Sequence, residues 1–293
     1  MLKYLSPSSI GRFEADPEDF YCHYMTDRPR FAQTDAMAAG SAFDAFVKFE
    51  LSKGCGGESL DEIMQAQVEP QHLPQAYAWG EYLLGEYKRS RAFDDLKIEL
   101  STFGKFSLVS DITTEVNGVP LRGKPDLICD HFVLDWKVNG FHSRYSKSPE
   151  KGFVRIRGGK HGGESHKMVV PILHQGVLIS NYNLEDVHVD WARQMAIYGW
   201  LAGFEIGDDF IVGIDQLVCK PRTGDFPHVR VAEHRALLGS EYQKRLFDRV
   251  QEIWEIIHSD HFFRDMSKQA SQDREATLKR RLETDPMLEE LLR

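Results

Sequence analysis

The chain has little cysteine, no long apolar run and no internal repeat, and each shortage narrows what it can be. Its four cysteines, Cys22, Cys55, Cys129 and Cys219, stand far apart with no paired spacing. That argues against a disulfide framework. The opening Met1-Leu2-Lys3-Tyr4-Leu5-Ser6-Pro7 lacks the apolar stretch of a secretion signal, so reduced thiols in a cytoplasmic setting are expected. No apolar run approaches the length of a membrane span, so no membrane partner is expected. His161, His166, His174 and His188 fit no zinc-ligand spacing and have no cysteine beside them, which predicts no zinc. There is also no Gly-x-x-x-x-Gly-Lys-Ser/Thr loop for nucleotide hydrolysis.

What is there is a chain of 293 residues, long enough for one sizeable domain with an appendage. A net charge of −9 argues against a broadly basic nucleic-acid coat. The charge is uneven, however. Between Asn139 and Lys167 the bases are Arg144, Lys147, Lys151, Arg155, Arg157, Lys160 and Lys167, against only Glu150 and Glu164. The residues interleaved with them include Phe141, His142, Tyr145, Phe153 and His161. This Gly- and Ser-rich stretch, 139–167, reads as a basic loop or arm suited to phosphate contact and base stacking, with a plain solvated loop as the alternative.

Pattern predicts helices from Ser6-Pro7, over Ala36–Leu51, over Leu73–Phe93, from Trp191 to about Phe204, and over Glu241–His258. In the last of these Leu246, Val250, Ile253, Trp254 and Ile257 share a face. Strands are predicted at Ile98–Leu100, Phe106–Val116, Val119–Cys129 and Phe132–Val138, with Asn117-Gly118 as a hairpin turn. A second hairpin joins Phe210–Cys219 to His228–Glu233. The expected organisation is one domain over 1–262 followed by a polar helix or tail, 263–293.

The middle strands carry the chemistry. Gly123-Lys124-Pro125-Asp126 is followed nine residues after Asp126 by Asp135-Trp136-Lys137. Asp130-His131 supplies a tight turn between, so a hairpin would bring Asp126 near Asp135. Residues i and i+2 on a strand share a face, so Asp135 and Lys137 point the same way. Two carboxylates and an ammonium suit a hard divalent cation beside a water and a phosphate. An isolated Asp-x-Lys on a strand is commonly a solvated surface pair. Here it lies in the largely apolar run Phe132–Val138, where unpaired charge costs several kcal/mol. On the later helix, Gln194 and Tyr198 stand at i and i+4 and project together. Tyr198 as a core aromatic beside a surface Gln194 is the plainer reading of that pair.

Taken in order, Gly-x-Pro-Asp, Asp-x-Lys and Gln-x-x-x-Tyr resemble the PD-(D/E)XK nuclease superfamily, in its RecB-like and phage exonuclease branches. The resemblance runs from roughly Ser8 to Phe204. Upstream, Gly40-Ser41-Ala42-Phe43-Asp44 occupies the place of the family's Gly-x-x-x-His or Gly-x-x-x-Glu, with a shorter acid; Glu99 is the other candidate for that role. The resemblance implies a restriction-endonuclease-like α/β (α+β) fold, a mixed central sheet flanked by helices with an inserted basic loop. It implies a Mg2+- or Mn2+-dependent deoxyribonuclease, an exonuclease of phage or bacterial replication or recombination acting in the cytoplasm of the cell or of a phage's host. Asp126, Asp135 and the Trp136 carbonyl would hold the metal, with Asp44 or Glu99 completing the shell. Lys137, Gln194 and Tyr198 would handle water and phosphate. Arg144, Lys147, Lys151, Arg155, Arg157 and Lys160 would contact DNA. Some relatives carry an iron–sulfur cluster on four cysteines. Cys219 alone follows the Gln-x-x-x-Tyr helix, so no such cluster is expected. Any helicase, recombinase or single-strand-binding partner would be a separate chain. Asp44 keeps an alternative open: a nuclease-fold DNA-binding or scaffold protein with little turnover.

Overall fold

The structure, a computed structural model, describes residues 2–26, 32–53, 57–108, 111–141, 152–158, 171–220 and 226–284. It is a mixed α/β fold in which helices flank a six-stranded sheet. The helices are α1 (Pro7–Ala15), α2 (Pro17–Tyr24), α3 (Asp35–Ser52), α4 (Leu60–Gln67), α5 (Leu73–Arg89), α6 (Ala92–Phe103), α7 (Val189–Leu201), α8 (Ser240–His258) and α9 (Asp260–Thr284). The strands are β1 (Phe106–Leu108), β2 (Ile112–Val116), β3 (Val119–Gly123), β4 (Leu127–Cys129), β5 (Phe132–Asn139), β6 (Phe153–Gly158), β7 (Ile172–His174), β8 (Val177–Ile179), β9 (Ile211–Lys220) and β10 (His228–Ala236). Among the described residues no helix is long and apolar enough to cross a membrane.

The chain divides into two compact units, one of residues 31–112 and 123–244, the other of 1–30, 113–122 and 245–293. The first holds the sheet, in the order β1-β4-β5-β9-β10-β6. Only β5 and β9 run parallel; the other neighbours are antiparallel. Side chains alternate along β5, and the two faces meet different partners. Leu134 and Trp136 join a core with Phe43 and Val47 of α3, Leu83 and Tyr87 of α5, and Leu96 and Phe103 of α6. Asp135 and Lys137 face the other way and bond to α7 through Gln194. Gly80 of α5 lets α3 pack close: a Cβ there would lie 2.5 Å from Phe46 Cδ2 and 3.0 Å from the Ala42 carbonyl oxygen.

In the second unit, α1 begins with a capping box between Ser6 and Ser9. Phe13, Phe20 and Tyr21 gather around Phe262 of α9. Leu5 runs beside β3, with its N–H on the Pro120 carbonyl at 2.9 Å. The β2–β3 turn uses Asn117 (φ 46°) and Gly118 (φ 86°), the paired positive φ that a two-residue hairpin loop needs.

Three expectations are corrected. Ile98–Leu100 is not a strand but part of α6. The helix expected over Leu73–Phe93 ends at Arg89, and Arg91, at φ 67°, turns the chain into α6. Within the supposed loop 139–167, residues 153–158 form β6, which pairs antiparallel with β10. The β7–β8 hairpin, turned on Gln175 and Gly176, had no counterpart among the expectations.

Candidate active site

The site grows out of the β4–β5 hairpin. Leu127 pairs with Leu134, Ile128 with Val133 and Cys129 with Phe132. One step further along that register stand Asp126 and Asp135. Both are buried, at 9% and 3% exposure. Asp126 Oδ2 accepts the Trp136 backbone N–H at 2.8 Å, which ties the two motifs together. Burial, and next the neighbouring Asp135 carboxylate, push the Asp126 carboxyl up to about 6.

Asp135 meets the later helix. Its Oδ2 lies 2.5 Å from Lys137 Nζ, and Gln194 Nε2 donates to its Oδ1 at 3.4 Å. The same amide accepts from Lys137 Nζ through Oε1 at 2.9 Å and donates to the Tyr198 hydroxyl oxygen at 2.8 Å. Gln194 therefore links Lys137, Asp135 and Tyr198 in one network. Burial, then the Asp135 charge, raise the Tyr198 phenol above its usual range, so it remains a neutral hydroxyl. Gly123 explains how α7 comes so near: a Cβ there would sit 2.7 Å from the Tyr198 ring and 2.7 Å from Leu201 Cδ1. The Tyr198 ring is thus both a packed aromatic and a member of the polar network.

Asp44, on the inward face of α3, reaches the same place through an intermediary. Lys48, one helical turn on, donates to Asp44 Oδ2 at 2.9 Å and lies 3.6 Å from Asp126 Oδ1. Burial, followed by Asp126, pushes the Asp44 carboxyl up to about 6. Burial works against the Lys48 ammonium, but Asp44 and Asp126 outweigh it and hold its pKa above the ordinary lysine value. The motifs did not single out Lys48. Its only sequence signal was a lysine four residues after Asp44 on an otherwise apolar stripe with Phe43 and Val47.

Other candidates lie elsewhere. Glu99 is on α6 and bonds Arg235 Nε at 2.9 Å, in a buried network with Asp215, so the structure does not bring it to Asp126. Arg155 and Arg157 are strand residues of β6, not arm residues. Arg155 lies 3.0 Å from Asp95, Arg157 is ion-paired to the same carboxylate, and both approach Glu233. Arg144, Lys147, Lys151 and Lys160 lie outside the described residues.

Among the described residues, no group of three His, Cys, Asp or Glu side chains forms a ready metal shell. The donor types nevertheless fit a hard divalent ion. Asp44 Oδ1 and Asp135 Oδ2 are buried and in no hydrogen bond, the latter despite its ion pair with Lys137. Magnesium commonly uses one or two carboxylates, with waters and substrate phosphate for the rest. Beyond Lys48 and Lys124 opens a cleft of about 520 Å³, lined also by Ser52, Ile63, Ala66 and Leu108.

No family model matches the chain, and no curated protein does. A solved structure with a similar course is that of a "Putative exonuclease" from Eubacterium rectale. It has 14% identity and a TM-score of 0.47, covering 91% of this chain and 82% of that one. A likeness at this level assigns neither family nor activity here.

Proposed function

We propose that the chain is a divalent-metal-dependent nuclease that hydrolyses phosphodiester bonds in DNA, an exonuclease of phage or bacterial replication or recombination. The observation that carries this reading is the Gln194 side chain, which gathers Lys137, Asp135 and Tyr198 beside Asp126. Such a set, drawn from β5, the turn before β4 and α7, with both aspartates buried, is more than a single ion pair would need. When bound, a magnesium or manganese ion would be held by Asp126 and Asp135, with the Trp136 carbonyl, and would polarise the phosphoryl oxygens.

The chain's own residues do the rest. The Trp136 N–H fixes the Asp126 carboxylate. Lys137, steered by Gln194 and Asp135, is placed to hold the attacking water and to offset negative charge as it builds on the phosphate. Tyr198, kept neutral, offers a hydroxyl to the water or to a phosphate oxygen. A separate helicase, recombinase or single-strand-binding protein would present the substrate.

The test is digestion of end-labelled linear and covalently closed circular DNA with Mg2+. We expect the linear form to be degraded, the circle spared, and chelation to stop the reaction. Asp126→Asn, Asp135→Asn and Lys137→Met should each lose at least ~100-fold in rate. A wild-type rate in any of the three overturns the site, and cutting of the circle replaces an exonuclease with an endonuclease. One observation favours a second reading, a DNA-binding protein of nuclease fold without turnover: Lys48 already compensates Asp44 and Asp126. Absence of Mn2+ binding in calorimetry would select it.

A further inference from the structure

Lys48 is a buried cation between two buried carboxylates that come from different elements. Asp44 is on α3, and Asp126 immediately precedes β4. The Lys48 side chain is 7% exposed, and its Nζ stands 2.9 Å from one carboxylate and 3.6 Å from the other. Two-metal phosphodiesterases hold two divalent ions about 3.5–4 Å apart. Asp126 has a different group at each carboxylate oxygen: Oδ2 accepts the N–H of Trp136, next to Asp135, and Oδ1 lies 3.6 Å from Lys48, which also bonds Asp44. We propose that the Lys48 ammonium takes the place of a second cation, so that the centre binds a single divalent ion on the Asp126–Asp135 side. This rests on the metal-dependent reading above.

Two features support it. Lys48 is held in place by its own helix, since Asp44 and Lys48 are an i, i+4 pair on α3, and it does not depend on a loop. Lys48 also walls the cleft of about 520 Å³, so cutting back its side chain would open that cleft onto Asp44 and Asp126. Asp44 Oδ1, buried and in no hydrogen bond, would then be available to a hydrated ion.

The experiment titrates metal-free protein with Mn2+ by calorimetry and records the electron paramagnetic resonance spectrum of the loaded protein. Wild type should bind one ion with the signal of an isolated Mn2+. Lys48→Met should bind two, with a spin-coupled signal. Lys48→Met combined with Asp44→Asn should return to one, and Lys48→Arg should stay at one. Two ions in wild type, or one in Lys48→Met, overturns the role of Lys48. No binding by wild type overturns the metal reading beneath it. Circular dichroism checks each variant. If Lys48→Met does not fold, wild type and Asp44→Asn decide. One isolated ion in both supports the proposal; a coupled pair in wild type, or loss of the ion in Asp44→Asn, overturns it.

Discussion

Arg235→Met should be among the most damaging single substitutions outside the candidate site. Arg235 is fully buried. Its Nε donates to Glu99 Oε2 at 2.9 Å, and its Nη1 donates to Asp215 Oδ1 at 2.7 Å and to the His234 carbonyl at 2.9 Å. The Tyr87 hydroxyl takes the other Asp215 oxygen. Methionine keeps most of the aliphatic stem and removes only the guanidinium, so two enclosed carboxylates lose their cation. Breaking one buried pair costs about 3–5 kcal/mol, and two orphaned partners put this case at the upper end. A loss of ~4 kcal/mol is roughly a thousandfold in the folded-to-unfolded ratio, against a total stability of about 5–15 kcal/mol. The deficit should depend on pH. Burial already raises the Glu99 carboxyl, with Arg235 opposing. Without Arg235 it climbs further, so the folded variant holds a proton that the unfolded chain has released. Stability of the variant then rises as pH falls, and the deficit at pH 7.5 should narrow at pH 5.5. Urea unfolding followed by tryptophan fluorescence reads this, because Trp79, Trp136, Trp191 and Trp200 lie in the unit concerned and only Trp254 lies outside it. A deficit below ~1 kcal/mol, or one indifferent to pH, would refute the reasoning.

Glu233 offers the opposite sign. Burial first, then Asp215, push its carboxyl up to about 8. The folded chain therefore holds a proton through a window in which the unfolded chain does not, and wild type loses stability as pH rises from about 5 to 8. Glu233→Gln should match wild type in urea midpoint near pH 5 and exceed it by ~2 kcal/mol at pH 8.5. Gly123→Ala should push the Tyr198 ring aside, costing ~1–3 kcal/mol and, under the proposed function, slowing cleavage, with wild-type melting and turnover as the contrary result. Arg157→Ala should lower the melting temperature, because it strips a partner from Asp95 and Glu233; unchanged melting would return β6 to the status of a loosely held segment.

Much of the hairpin geometry was legible because its cues are local. Asp130-His131 made the turn, and alternation along Phe132–Val138 put Asp135 and Lys137 on one face. Gln194 and Tyr198 followed from helical spacing. Three features escaped for want of a local cue. Arg91 adopts a left-handed backbone without being glycine, so nothing marked the break between α5 and α6. The spacing of Phe93, Leu96, Leu100 and Phe103 is helical, but the β-branched Ile98 among them, 65% exposed, suggested a strand. Arg155 and Arg157 read as solvent-seeking because their neutralising partner, Asp95, is about 60 residues away in sequence. Lys48 likewise makes sense only once Asp126 has been folded against it.

The parallel pairing of β5 with β9 has a consequence for when the candidate site can assemble. Lys137 lies beside Gln216 in that register, although 78 residues intervene. On a translating ribosome, the Asp-Trp-Lys triplet emerges well before the strand that flanks it, and the Gln194 amide also follows late. Joining such distant segments is slow relative to closing the β4–β5 hairpin. A nascent or truncated chain ending before residue 211 would carry both aspartates of the hairpin yet lack the neighbour that holds β5 in the sheet. Under the proposed reading, the Asp135–Lys137 pair would stay without its flanking strand until β9 had been made.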